Sequence, residues 1–223
     1  MTRAPVDQQR VRAAIEAAEA RTDGELLAIL SPQSDTYHDV ALQWAVLLMV
    51  TALGVVTAFP DAFIGLAEWI AGDWSGGITR RSLLLMLFAL LVAIYLAARI
   101  ALRWPALRLA LVPGLIKSRR VRRRAIALFK VGAEQHTISR TGVLLYVSLA
   151  EQRAEIVADE AVHNRVPAEM WGDAMVLLID AIRDGRPTDG MVAAIEAIGD
   201  ILAREFPYTG TDPAELPNHL IVI

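Results

Sequence analysis

The sequence predicts an α/β fold: a small α/β/α sandwich interrupted by a two-helix transmembrane hairpin. Three observations lead there. Two long apolar segments, LQWAVLLMVTALGVVTAF (42–59) and SLLLMLFALLVAIYLAARIAL (82–102), stand on either side of a short connector. Helix-spaced and strand-length apolar patterns alternate on both sides of that pair. Finally, the helix and strand ahead of it cannot close a core without the strands that follow it. The expected organisation is residues 1–39 as the N-terminal part of the soluble domain, 40–104 as the hairpin with its connector, and 105–223 as a basic juxtamembrane segment with the main part of the domain.

Within residues 5–21, Val11, Ala14, Ile15 and Ala18 recur at helical spacing among Arg10, Arg12, Glu16 and Glu19, which predicts an amphipathic helix. Thr22-Asp23-Gly24 ends it. ELLAIL (25–30), stopped by Ser31-Pro32, reads as a buried strand, with Glu25 as a turn or surface carboxylate. The two apolar segments approach or reach the roughly 20 residues a helix needs to cross a bilayer, and their cores hold no charge. Gln43 and Arg99 fall near the ends. In the connector 60–81, Trp69 and Trp74 suit a membrane interface, so AFIGLAEWIA predicts a short interfacial helix and no third span. Pro105 and Pro113 then limit ALRLALVPGLI to a piece too short to cross.

Residues 118–135 predict a helix with Val121, Ala125, Leu128, Phe129 and Gly132 on one side and most of the arginines on the other. VLLYVSL (143–149), a turn at 150–152 and RAEIVAD (153–159) read as a central strand hairpinned to one nearer the edge. A helix starting near Pro167 turns Trp171, Ala174, Met175, Leu178 and Ile182 inward and stops at Asp184-Gly185. A second, capped by Thr188, buries Met191, Ile195, Ile198 and Leu202 and ends before Pro207. The tail finishes in LIVI, an apolar run suited to an edge strand.

The chain contains no cysteine, which excludes disulfides, thiolate metal sites and cysteine-based catalysis. A net charge of −3 hides an asymmetry: ten basic and no acidic residues lie between Arg99 and Lys130, while the connector offers only Arg80 and Arg81. The positive-inside rule therefore predicts cytoplasmic termini. Eleven charged side chains and no apolar core in residues 1–39 argue against a secretory signal there. Arg119, Arg120, Arg122, Arg123 and Arg124 are either a solvated helix face or a surface for anionic headgroups, and their place beside a span favours the headgroups. No aromatic interleaving or reader motif accompanies them, so nucleic acid is not an expected partner.

The candidate chemical residues are few. Asp159 and Glu160, where the second hairpin strand should end, could supply oxygen ligands to Ca²⁺ or Mg²⁺, and His163 beside them could move a proton. The plainer reading is a solvated loop with a helix cap and an exposed histidine. His38, His136 and His219 lack zinc-helix spacing. No G-x-S-x-G, G-x-x-x-x-G-K-[ST] or G-x-G-x-x-G motif occurs. No organic cofactor is called for.

TDGELLAIL, RTGVLLYVSLAEQRAEIVAD, Val166, Trp171, DGRPTDGMVAAIEAIGDILAREFP and ELPNHLIVI, in that order, resemble the TPM-domain family, specifically its bacterial integral-membrane members with a hairpin inserted in the domain. The resemblance implies a compact α/β/α fold. It also implies relatives associated with phosphatase activity, metal binding and repair of membrane complexes, and one that serves as accessory to a receptor. Where many members carry a G-x-G-L-type turn, this chain has Asp159-Glu160-Ala161-Val162-His163. The resulting expectation is a multi-pass protein of the bacterial inner membrane that presents a cytoplasmic TPM-like domain as an accessory or maintenance factor for a membrane protein partner. Its alternative is a metal-dependent, acid-type phosphatase near the membrane, using Asp159, Glu160 and His163.

Overall fold

The structure is a computed structural model that describes residues 6–72, 79–136, 141–210 and 220–222. Its elements run α1 (Gln8–Glu19), β1 (Glu25–Ser31), α2 (His38–Ala58), α3 (Pro60–Ala71), α4 (Arg80–Ala101), α5 (Pro105–Ala110), α6 (Gly114–His136), β2 (Gly142–Ser148), β3 (Arg153–Ala158), α7 (Glu160–Arg165), α8 (Gly172–Arg183), α9 (Pro187–Glu205) and β4 (Ile221–Val222). They form two compact units: Met1–Asp35 with Gly114–Ile223, and Thr36–Pro113.

The first unit is built on a four-stranded sheet of order β3-β2-β1-β4. β1 and β2 run parallel in register from Glu25 opposite Gly142 to Ser31 opposite Ser148. β3 returns antiparallel to β2, and β4 pairs with β1 at Ile29 and Leu30. Every residue of β1 and β2 is buried, which is why both read as near-continuous apolar runs without polar alternation. Because successive side chains point to opposite faces, Leu27, Ile29, Leu144 and Tyr146 meet Val121 and Ala125 of α6 on one side. On the other, Leu26, Ala28, Leu30, Val143, Leu145 and Val147 join a core with α1, α8 and α9. Helices on both faces make the α/β/α sandwich.

Close packing is visible where α9 meets its neighbours. A Cβ added at Gly199 would lie 2.6 Å from the Ala18 Cβ of α1, and one at Gly190 would lie 2.7 Å from the Ala181 Cβ of α8. Glycine at these positions sets the helix separation. Asp7 caps α1 by accepting the Gln9 and Arg10 N–H groups.

Several local expectations are corrected. The N-cap of α9 is Arg186, and Pro187 occupies the first helical position. Proline's fixed φ already starts the helix, so Thr188 falls inside the first turn. Its hydroxyl instead accepts the Asp7 N–H at 3.0 Å, tying α9 to the start of α1. The segment after Pro167 opens with a 3-10 turn, Ala168–Trp171, before α8 proper. Residues 160–165, read as loop, form the short helix α7. Six residues are too few to display a helical period.

In the second unit α2 and α4 pack against each other, and α3 touches both. Pro60 opens α3, and a Thr79–Ser82 capping box opens α4. Both α2 (21 residues) and α4 (22) are long and apolar enough to cross a membrane, with only 17% and 6% of their most apolar stretches buried. A core helix of a soluble protein would be mostly covered. Trp69 of α3 is 81% exposed, whereas Trp74 lies outside the described residues.

Candidate functional site

Asp159 follows β3 and is the N-cap residue of α7. Its N–H donates to the Gly142 carbonyl at 2.9 Å, and its Oδ2 accepts the Gly142 N–H at 3.0 Å. The carboxylate is therefore engaged in closing the start of β2. Glu160 and His163 follow on α7, both exposed. The three predicted residues lie within five consecutive positions at the start of one short helix.

The same end of the sheet holds two carboxylates with a different character. Glu25 sits opposite Gly142 in register and is only 7% exposed, overturning its reading as a turn or surface residue. It is the first residue of a strand covered on both faces. Glu19, at the end of α1, turns back over the intervening turn so that its Oε1 accepts the Leu26 N–H at 3.0 Å. Its Oε2 is buried without a hydrogen-bond partner among the described residues. Burial pushes the Glu19 carboxyl up to about 7, against the opposing Leu26 hydrogen bond and with further help from Glu25 and Glu16. Such a carboxyl exchanges its proton near neutral pH. Sequence reading placed Glu19 on the polar face of its helix. Nothing in the helical period signals that it reaches the first strand. Asp23 is occupied, accepting the Thr209 N–H at 2.9 Å and its hydroxyl at 2.6 Å.

Ca²⁺ takes six to eight oxygen ligands, and Mg²⁺ a near-octahedral set. Among the described residues no three His, Asp or Glu side chains gather to hold a metal. Asp159, with one oxygen already accepting from Gly142, and exposed Glu160 do not by themselves fit such a cation.

At the other end of β2 a satisfied polar network fastens the hairpin. Glu151 is 6% exposed, its Oε1 accepting the Ser34 N–H at 3.0 Å and its Oε2 taking the Ser148 hydroxyl. Ser34 Oγ and Tyr146 Oη share a further hydrogen bond at 2.9 Å. In the second unit, His38 Nδ1 lies 3.4 Å from Arg108 Nη1. His219 and the side chain of His136 lie outside the described residues.

The basic helix is not uniform. Arg119, Arg122, Arg123 and Arg124 are exposed. Arg120 flanks the buried Val121 and instead forms a partly buried ion pair with Asp35 at 2.7 Å. Arg122 also lies near enough to Glu155 of β3 to oppose the burial that pushes that carboxyl up.

Fold and site together define a protein with an α/β/α domain, carboxylates at one end of its sheet, and an insertion bearing two helices apolar enough to span a membrane. Residues 106–201 match the model of the TPM domain. The NMR structure of the BA42 protein from the psychrophilic bacterium Bizionia argentinensis superposes with a TM-score of 0.56 at 17% identity, covering 100% of this chain and 99% of that one. At that identity the likeness is one of fold. Among curated proteins, no sequence matches this chain.

Proposed function

We propose that this chain is a multi-pass protein of the bacterial inner membrane that presents its TPM domain to the cytoplasm as an accessory or maintenance factor for a membrane protein complex. One observation carries the reading. β1 and β2 are paired neighbours in one folded unit although Thr36–Pro113 separates them in the chain. Two flanks that fold together must lie on the same side of any membrane, so the insertion crosses an even number of times, and α2 and α4 supply two crossings. Ten basic residues between Arg99 and Lys130, against Arg80 and Arg81 in the connector, support the cytoplasm as that side. Arg119, Arg123 and Arg124 then suit anionic headgroups, each adding about 1 kcal/mol near the surface.

Reporter fusions at residue 35 and at the C-terminus should both report cytoplasm, and one at Gly76 the opposite side. An external C-terminal reporter overturns the orientation. Affinity purification in mild detergent should bring down a stoichiometric membrane partner that Asp159→Ala leaves in place. The competing reading, a metal-dependent phosphatase, draws on the Glu19 carboxyl held near neutrality beside Glu25. Hydrolysis of a generic phosphomonoester that needs added Mg²⁺ or Ca²⁺ and is lost in Asp159→Ala would establish that reading instead.

A further inference from the structure

A cleft of about 330 Å³ opens along the outer edge of β3, at the opposite end of that strand from Asp159. It is lined by Gly114 and Lys117 from the first turn of α6, by Arg153 and Glu155 of β3, by the turn before them and by Arg183 of α8. We propose that this cleft binds a phosphate-bearing anion, gripped by the Arg153 guanidinium with Lys117 and Arg183 beside it.

The Nε of Arg153 is buried and has no hydrogen-bond partner among the described residues. A cationic donor removed from water without an acceptor is costly, and an anion entering the cleft removes that cost. Neither nearby carboxylate serves as that acceptor. Glu151 is engaged by Ser34 and Ser148. Glu155 answers Arg153 only through space, its carboxyl pushed up by burial and drawn back by Arg122 and Arg153. A Cβ at Gly114 would stand 3.3 Å from Arg153 Nη2, so a larger residue there would crowd the guanidinium at the cleft.

Three cations from three separate elements therefore face one space, although exposed Arg183 also shares its charge with Asp180 at 3.4 Å. A guanidinium fork matches a phosphate's oxygens two at a time, and a phosphomonoester carries about −1.5 to −2 charge at neutral pH, more than one carboxylate brings. The volume admits the phosphate together with part of what it is attached to. A lipid headgroup and a free phosphate share this chemistry. Glu155 is a competitor for Arg153, which gives the site a signature: removing the arginine weakens the ligand and removing the glutamate strengthens it.

The test uses the full chain in neutral detergent, titrated calorimetrically with inorganic phosphate, with dihexanoyl phosphatidic acid and with dihexanoyl phosphatidylcholine. We expect saturable binding of phosphate or phosphatidic acid, weakened about tenfold or more by Arg153→Gln and tightened severalfold by Glu155→Gln. Arg123→Gln, on the outer face of α6, should leave affinity unchanged. Phosphatidic acid at least about tenfold tighter than inorganic phosphate identifies a headgroup, and comparable affinities a free phosphoryl group. Melting curves check each variant, and Lys117→Gln stands in if Arg153→Gln does not fold. No saturable binding of either ligand overturns the proposal. So does wild-type affinity in a folded Arg153→Gln or Lys117→Gln protein, or loss of affinity in Glu155→Gln.

Discussion

Strand β2 and helix α4 are both dominated by apolar side chains, yet their surroundings are opposite. All seven residues of β2 are buried, whereas α4 leaves Leu84 63%, Leu85 59% and Phe88 67% exposed. In the first unit, two helix layers keep water from the sheet. In the second, the described residues leave most of α2 and α4 uncovered, and both helices are long and apolar enough to cross a membrane. Hydropathy says that water is to be excluded; packing says what excludes it.

The sharpest way to break this contrast is a matched pair of truncations. Leu144→Ala should cost the first unit about 2–5 kcal/mol in denaturant unfolding, because a cavity is left between α6 and the sheet. Leu85→Ala should leave that transition where it is. An equal loss from both would mean that the second unit is a packed core. Glycines sharpen the same contrast. Gly199→Ala forces a Cβ against Ala18 and should cost about 1–3 kcal/mol, while Gly54→Ala in α2 meets nothing within 4 Å and should be tolerated.

A pH experiment reaches the carboxylate end of the sheet. Because the folded Glu19 carboxyl sits at about 7 and its ordinary value is 4.5, the folded state holds a proton that the unfolded state has released between those values. Stability should therefore fall as pH rises from about 4.5 through about 7, by on the order of 1–2 kcal/mol once screening at this partly exposed group is allowed for. Glu19→Gln keeps the Leu26 acceptor and should flatten that slope. An unchanged slope would remove Glu19 as its source. The smallest expected effect is at a helix cap: Asp7→Ala should lower the first unit's stability by about 1 kcal/mol, and Thr79→Ala, capping α4, should not move the same transition.

What could be read in advance was what repeats or runs on along the chain. The long apolar runs became α2 and α4, ELLAIL and VLLYVSL became the buried neighbours β1 and β2, and Val121 and Ala125 marked the core face of α6. Each rests on a periodicity carried by contiguous residues, and local sequence suffices for that. The tertiary structure alone decided the rest. α7 was too short to show a period, and Thr188 served Asp7 because Pro187 had already begun the helix. Glu19 acquired its buried environment only when the chain folded back over β1, and Arg120 left the exposed basic face for Asp35. The cleft around Arg153 draws on α6, β3 and α8, which no window of sequence contains together. Burial, pairing and electrostatic environment belong to contacts between distant residues, so they come into being only with the packed fold.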